Sequence, residues 1–252
     1  MRIIISPAKK MNVDTDSFAV EALPRFVGET EKLMEALKGM TPEALQKLWK
    51  CNDGITALNV ERLQNMGLRR GLTPAVLSYE GIQYQYLAPG VLEIGGLRYL
   101  REHLRILSGF YGLLRPFDGV TPYRLEMQAK LRMGQAKDLY AFWGGSIAGS
   151  LFQETDCIIN LASAEYSRCV SAYLTDGVQF ITCIFGEQKD GKIIEKGTLC
   201  KMARGEMVRY MAERQVENPE EMKNFDRLGY RFCPEASDMT TYTFLKADGG
   251  PI

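Results

Sequence analysis

The stretch Ser108-Gly109-Phe110-Tyr111-Gly112-Leu113-Leu114-Arg115-Pro116-Phe117-Asp118, followed by Pro122-Tyr123-Arg124-Leu125-Glu126-Met127, gathers the groups that binding chemistry uses. Glycines let another backbone or a phosphate approach closely, and arginines supply planar forks of donors. Tyrosines add a flat face with a polar tip. A core element has little use for this mixture, because Gly and Pro interrupt ladders while Arg and Asp resist burial. A loop that shapes a binding surface uses all of it.

Four shorter clusters share this character. Ser6-Pro7-Ala8-Lys9-Lys10 places cations just past an isoleucine-rich strand, where open sheets collect ligand groups. Lys137-Asp138-Leu139-Tyr140, with Phe142-Trp143-Gly144 behind it, sets a lysine at a helix start, which is a ready anion site. Asn160-Leu161-Ala162-Ser163-Ala164-Glu165-Tyr166 repeats polar groups at a second strand end. Lys201-Met202-Ala203-Arg204-Gly205 puts cations near a helix start, against the dipole, which makes sense if an anion binds there.

Two chemistries fit these residues. In the first, Lys9, Arg115, Arg124, Lys137, Lys201 and Arg204, with the backbone at Gly109 and Gly112, contact DNA phosphates. Tyr111, Tyr123 or Trp143 then stack on exposed or distorted bases. In the second, the cleft is that of an enzyme acting on a small phosphorylated or nucleobase-like ligand. Asp118, Glu126, Asn160, Ser163, Glu165 and Tyr166 are more varied than phosphate neutralisation requires, and acids beside lysines and tyrosines suit general acid–base work. No nucleophile–base pair or Walker-type loop names a reaction, so catalytic roles stay open.

The bulk numbers narrow the choice little. Lys+Arg and Asp+Glu both number 31 in 252 residues, which argues against a polybasic tail binder. Yet residues 94–137 carry eight basic residues against three acidic ones, so a near-neutral chain holds one basic block around the unusual loop. No segment reaches the roughly 18 apolar residues needed to cross a bilayer, and the opening run is broken by Pro7, so the chain is read as cytoplasmic. Six cysteines without a C-x-x-C pair read as free thiols, with Cys200 beside Lys201 the best candidate for a redox sensor. A single histidine, His103, argues against a metal centre, and no cofactor is expected.

The elements that must position these groups are interleaved strands and helices. Strands are expected at 2–5 and 157–161, a hairpin at 178–197 about Lys189-Asp190-Gly191, and a closing strand pair at 230–232 and 241–245. Helices are expected at 29–40, 42–50, 53–66, 96–107, 138–152 and 200–214, with a short one at 219–224. In the third, Ile55, Leu58 and Leu63 point inward. In the fourth, Arg98, Arg101 and Arg105 face solvent. In the fifth, Gly144, Gly145, Ala148 and Gly149 suit close packing. Residues 74–87 read as strand or mixed structure. No linker or repeat divides the chain, so residues 1–252 are taken as one α+β domain with a mixed sheet and surrounding helices.

The ordered set of motifs resembles the YaaA family of bacterial peroxide-stress proteins. The pattern Ser-Gly-x-Tyr-Gly-x-Leu-Arg-Pro-x-Asp with Pro-Tyr-Arg-Leu-Glu-Met matches residues 108–118 and 122–127. Asp-Leu-Tyr-x-Phe-Trp-Gly matches 138–144, Ile-Asn-Leu-Ala-Ser-x-Glu-Tyr matches 159–166, and Ala-Arg-Gly-x-Met matches 203–207. Lys10 stands where many members have threonine, and Met202 where they carry a further lysine. The resemblance implies a helix–hairpin–helix-like element and a positively charged cleft binding double-stranded DNA, largely independent of sequence and including distorted or bulged duplexes. It also implies protection from hydrogen peroxide by lowering free intracellular iron.

Overall fold

The isoleucine run near the N-terminus forms the middle of the molecule. Ile3, Ile4 and Ile5 have no exposed surface, a burial that requires neighbours in the sheet on both sides and cover on both faces. The computed structural model describes residues 1–246 and shows a single α/β domain built on one mixed sheet.

We number the strands of that sheet in chain order: β1 Arg2–Ile5, β2 Leu104–Ser108, β3 Gly112–Leu114, β4 Cys157–Leu161, β5 Gln179–Lys189, β6 Lys192–Ile194, β7 Tyr230–Phe232 and β8 Thr241–Lys246. Their spatial order is β7-β8-β5-β4-β1-β2-β3, with β6 paired to the far end of β5. The core β8-β5-β4-β1-β2 is parallel, and antiparallel strands close both edges. From β1 the chain runs to β2 on one side and later returns to β4 on the other. The strand order therefore reverses at β1, and the carboxyl ends of β1 and β4 border the crevice that such a reversal leaves.

Helices cover the sheet. Pro42–Trp49 starts as its Thr41-Pro42-Glu43 signal predicts, with Thr41 Oγ1 accepting the Ala44 N–H. The long helix Gly197–Arg214 lies against the short helix Ile82–Leu87. Gly205 permits that approach, because a Cβ there would overlap the Gln83 carbonyl oxygen. The Asp190-Gly191 turn joins β5 to β6 with both residues at positive φ, as its sequence predicts.

Several elements differ from expectation. The helix expected at 96–107 ends at His103, and Leu104–Ser108 is strand β2, buried along its whole length. Arg105 mimicked a helical stripe with Arg98 and Arg101, but it lies inside an ion pair with Glu154 instead of facing solvent. Gly109 and Gly112 thus sit in a strand–turn–strand hairpin between β2 and β3, and no helix–hairpin–helix-like element forms there.

The expected helix at 138–152 is two, Leu139–Trp143 and Ser146–Phe152, broken at Gly144 where φ is 48°. Of the small-residue face, Ala148 is buried and Gly145 lies against the Tyr173 ring, whereas Gly149 has no atom near its missing Cβ. In helix Asp53–Gln64 the buried positions are Thr56, Asn59 and Leu63, while Ile55 and Leu58 are exposed. The mixed reading of 74–87 resolves into two-residue bridges at Thr73–Pro74 and Tyr79–Glu80 around helices Ala75–Ser78 and Ile82–Leu87. Among the described residues no helix is long and apolar enough to cross a membrane.

Candidate functional site

The loops leaving β1 and β4 meet at the reversal and form one wall of a cleft of about 430 Å³. From β1 come Ser6 to Lys10, and from β4 come Ser163, Glu165 and Tyr166. The segment Tyr123–Glu126 and residues Lys201 and Arg204 of the long helix complete it. Lys9, Tyr123, Arg124, Glu126, Ser163, Glu165, Tyr166, Lys201 and Arg204 are thus brought together, as their residue types had suggested. Glu80, Gln83 and Tyr84 also line the cleft, and sequence reasoning missed them. The sequence held a signal for them: Glu80-Gly81 interrupts an apolar run as the other site motifs do.

The loops are tied to each other before they meet any ligand. Ser6 Oγ accepts the Ser163 N–H at 2.8 Å and lies 3.2 Å from Ser163 Oγ, which joins the two strand ends. Tyr84 donates to the Ser6 carbonyl at 2.9 Å, and Gln83 Nε2 donates to the Leu161 carbonyl at 3.2 Å. Tyr123 OH is 2.7 Å from Ser108 Oγ and 2.9 Å from Tyr79 OH, and burial pushes its phenol up to about 12. These tyrosines are protonated hydrogen-bonding groups at neutral pH.

The charges in the cleft are mixed. Glu126 lies 3.0 Å from Lys9 Nζ and 3.3 Å from Arg124 Nη2, so one carboxylate serves two cations. Arg204 Nη2 is 3.4 Å from Glu195, and Lys10 reaches Glu80 at 2.5 Å. The Nε atoms of Arg124 and Arg204 are buried without a hydrogen-bond partner, so both guanidiniums keep unused donor capacity. Glu165 Oε1 accepts the Gln128 N–H at 3.2 Å, and burial raises its carboxyl above the ordinary glutamate value, with the Glu126 charge adding to the rise. A half-buried acid beside another carboxylate, with Lys9 nearby, is equipped to hold or give a proton.

Other candidates lie elsewhere. Tyr111 and Trp143 are each 1% exposed and stack on no ligand surface. Trp143 Nε1 donates to the Gly109 carbonyl at 3.0 Å, and the indole packs over Gly112, whose φ of 72° and close contact exclude a side chain. The two glycines therefore serve the hairpin's packing, because they are covered by side chains and by the Leu125–Met127 backbone.

Asn160 is buried, with Oδ1 accepting the Ala162 N–H at 3.0 Å and Nδ2 facing Thr182, which shapes the strand end and keeps it out of the cleft. Lys137 is exposed on a loop outside the cleft. The long helix begins at Gly197, so Lys201 lies past its first turn and the argument from an unfavourable dipole does not hold.

Arg115 and Asp118 are separated from the cleft by the length of the sheet. Arg115 follows β3 and sits beside Arg105 at the amino end of β2, whereas the cleft borders the carboxyl ends. Asp118 accepts the Arg115 N–H at 2.8 Å and is 4% exposed, and burial raises its carboxyl to about 6. An aspartate raised from 3.8 binds its proton more tightly when folded. Its contribution to stability is full below about pH 4 and is lost as pH rises through 6, amounting to about 3 kcal/mol. Asp118→Asn keeps the acceptor for the Arg115 N–H without the buried charge. The variant is expected to gain up to about 3 kcal/mol over the parent at pH 8 and nothing at pH 4. Urea unfolding across that range measures this, and equal stability at both pH values would contradict it.

Three of the six cysteines, Cys200 among them, are poorly placed for sensing. Burial pushes the thiols of Cys169, Cys183 and Cys200 up to about 12, and Cys200 Sγ lies 3.1 Å from the Glu195 carboxylate. A thiol so disfavoured as thiolate is a poor nucleophile toward peroxide. Among the described residues no three His, Cys, Asp or Glu side chains gather as a metal-ligand set.

Comparison with known proteins agrees with the motifs. A family model described as "Peroxide stress protein YaaA" matches residues 1–236. A UPF0246 protein of Lachnoclostridium phytofermentans is 53% identical over 248 residues, covering 98% of this chain and 97% of its own. A UPF0246 protein of Desulfitobacterium hafniense is 51% identical over 247 residues, with 98% of each chain covered. A third, from Pediococcus pentosaceus, is 49% identical over 246 residues, again with 98% of each covered. A family model matching residues 1–236, with full-length relatives at this identity, means that the chain belongs to the YaaA family of peroxide-stress proteins.

Proposed function

We propose that this peroxide-stress protein works through a small phosphorylated or nucleobase-like ligand bound in the cleft, on which acid–base chemistry is done. The observation that carries the reading is the meeting of Lys9, Arg124, Lys201 and Arg204 with Glu126, Glu165 and Tyr166 around one cavity at the reversal of strand order. Cations with spare donors suit a phosphate, and tyrosines suit the edge of a base. Glu126 holds Lys9 and Arg124 in place until a ligand oxyanion takes its share of them. Glu165 is the proton carrier, because burial favours its neutral form.

The test is calorimetric titration with a panel of nucleotides, sugar phosphates and nucleobases. Saturable binding is expected, weakened at least about tenfold by Lys9→Ala, the loss of one charge-assisted contact. Glu165→Gln is expected to retain binding and lose turnover. No saturable ligand, or binding indifferent to Lys9→Ala, would remove the reading.

Double-stranded DNA is a second reading, favoured by one observation. The loop that continues from the cleft wall carries Lys130, Arg132 and Lys137, all exposed, and no acid between Met127 and Asp138. Among the described residues none of the three forms an ion pair, so the loop can offer a duplex an uncompensated rim beside the cleft. In anisotropy titrations with duplex, single-stranded and bulged DNA, binding is then expected to fall steeply with salt. Each of Lys130→Ala and Arg132→Ala would reduce the slope by about one. A lowering of free intracellular iron is proposed to follow from the occupied cleft, so cells carrying Lys9→Ala should show the iron level of cells lacking the protein.

A further inference from the structure

The other end of the sheet holds a group of charges that the cleft does not use. A cavity of about 320 Å³ is lined by Arg25, Arg105, Arg115, Asp118 and Glu154, together with apolar side chains. A neighbouring hollow shares Arg105, Arg115 and Asp118 and adds Arg2 and Arg101 along with Glu21 and Glu102. Five arginines in so small a region repel one another unless anions separate them.

The protein's own carboxylates are largely committed. Glu154 Oε2 takes Arg105 Nε at 2.8 Å and Arg2 Nε at 3.1 Å, and Glu21 is held by Arg101 at 2.8 Å. Asp118 gives one oxygen to the Arg115 backbone N–H. Arg25 and Arg115 are left without an ion pair among the described residues, and the one side-chain contact of Arg25 is Nη2 to the neutral Gln153 at 3.1 Å. Behind them Arg105 is 4% exposed, a guanidinium built into the cavity wall. Burial, and after it the charges of Arg2 and Arg115, make that cation harder to hold.

We propose that this cavity binds a phosphate group, gripped by the guanidinium forks of Arg25 and Arg115 in front of Arg105, with Asp118 hydrogen-bonded to it. Arginine forks match the spacing of phosphate oxygens and carry their charge at any working pH. Asp118 adds selectivity: its neutral form donates to a phosphate oxygen, and its ionised form accepts from a phosphate that still carries a proton. The site faces the amino ends of the strands and is independent of what fills the cleft.

The test follows backbone amide and arginine Nε–H resonances while inorganic phosphate, and separately glycerol phosphate, is added at constant ionic strength. Saturable shifts are expected at Arg25, Arg105 and Arg115 and at the Asp118 amide. They should weaken tenfold or more in Arg115→Gln and Arg25→Gln, whose fold is checked by the unchanged remainder of the spectrum. The tighter of the two ligands identifies the source as free phosphate or a phosphate ester. Shifts that do not saturate, that chloride reproduces, or that survive both substitutions would overturn the proposal. Shifts confined to Ser163 and Glu165 would overturn it too, while leaving the cleft reading intact.

Discussion

Gly109→Ala is expected to lower stability by about 3 kcal/mol and the melting temperature by roughly 6–12 °C. A Cβ at this position would stand 2.6 Å from the Leu125 carbonyl oxygen and 2.9 Å from the Glu126 and Met127 backbone. Backbone on the far side cannot rotate away as a side chain would, so one of the two segments must shift. The segment facing the hairpin carries Arg124 and Glu126, so a shift on that side would carry the damage to the cleft as well as the melting curve. Gly149→Ala is the control. It lies in helix Ser146–Phe152 with nothing near its missing Cβ, and there alanine should be neutral or stabilising by up to about 1 kcal/mol. Thermal melts of both variants decide the matter, and a Gly109→Ala protein melting with the parent would show that the hairpin yields freely.

Glu154→Ala should lower stability by about 3–5 kcal/mol, because it strands a buried cation. Arg105 is 4% exposed, and Glu154 is the carboxylate that neutralises it together with Arg2. Burial alone would raise the Glu154 carboxyl, but the bonds from Arg105 and Arg2 outweigh it and hold the value below the ordinary one. Its stabilisation is therefore present above the unfolded glutamate value and is lost as pH falls through the lowered folded one. Asp118, on the same end of the sheet, titrates in the opposite sense. The parent is expected to lose the Glu154 share on acidification while regaining the Asp118 share, whereas Glu154→Ala keeps only the second. Arg105→Met combined with Glu154→Leu should recover part of the loss, since it removes the buried pair and leaves only the more exposed Arg2 without its carboxylate. Denaturant unfolding at pH 7 measures each variant, and a single-variant loss below about 1 kcal/mol would mean that water reaches Arg105 and screens it.

The cleft was legible in the sequence because its residues break local rules. Lys9, Ser163 and Glu165 follow directly on apolar strands, and a polar run there has one economical use in an open sheet. Arg124 and Glu126 were legible for the same reason, as charged residues set between apolar ones. Arg115 and Asp118 look identical by that criterion. Only the register of β3 against β2 shows that they face the other end, and register depends on tertiary pairing.

The aromatics misled in a different way. A tyrosine or tryptophan among glycines reads equally as a stacking platform or as the residue that fills the space the glycines leave. Tyr111 and Trp143 take the second role. Over strand β2 the three arginines at helical spacing predict a helix, because they outweigh a short apolar run that periodicity alone cannot assign.

The central position of β1 has a consequence for how the protein is made. Ile3 pairs with Leu104 on one side and Ile159 on the other, so β1 acquires its two neighbours only about 100 and 155 residues after it is made. At ribosomal rates of about 5–20 residues per second, the second neighbour is delayed by roughly 8–30 s. Until β2 emerges three consecutive isoleucines have no sheet to enter, and until β4 emerges one edge of β1 stays unpaired. The nascent chain is therefore expected to depend on chaperones that hold apolar segments, and that dependence should end when β4 leaves the ribosome.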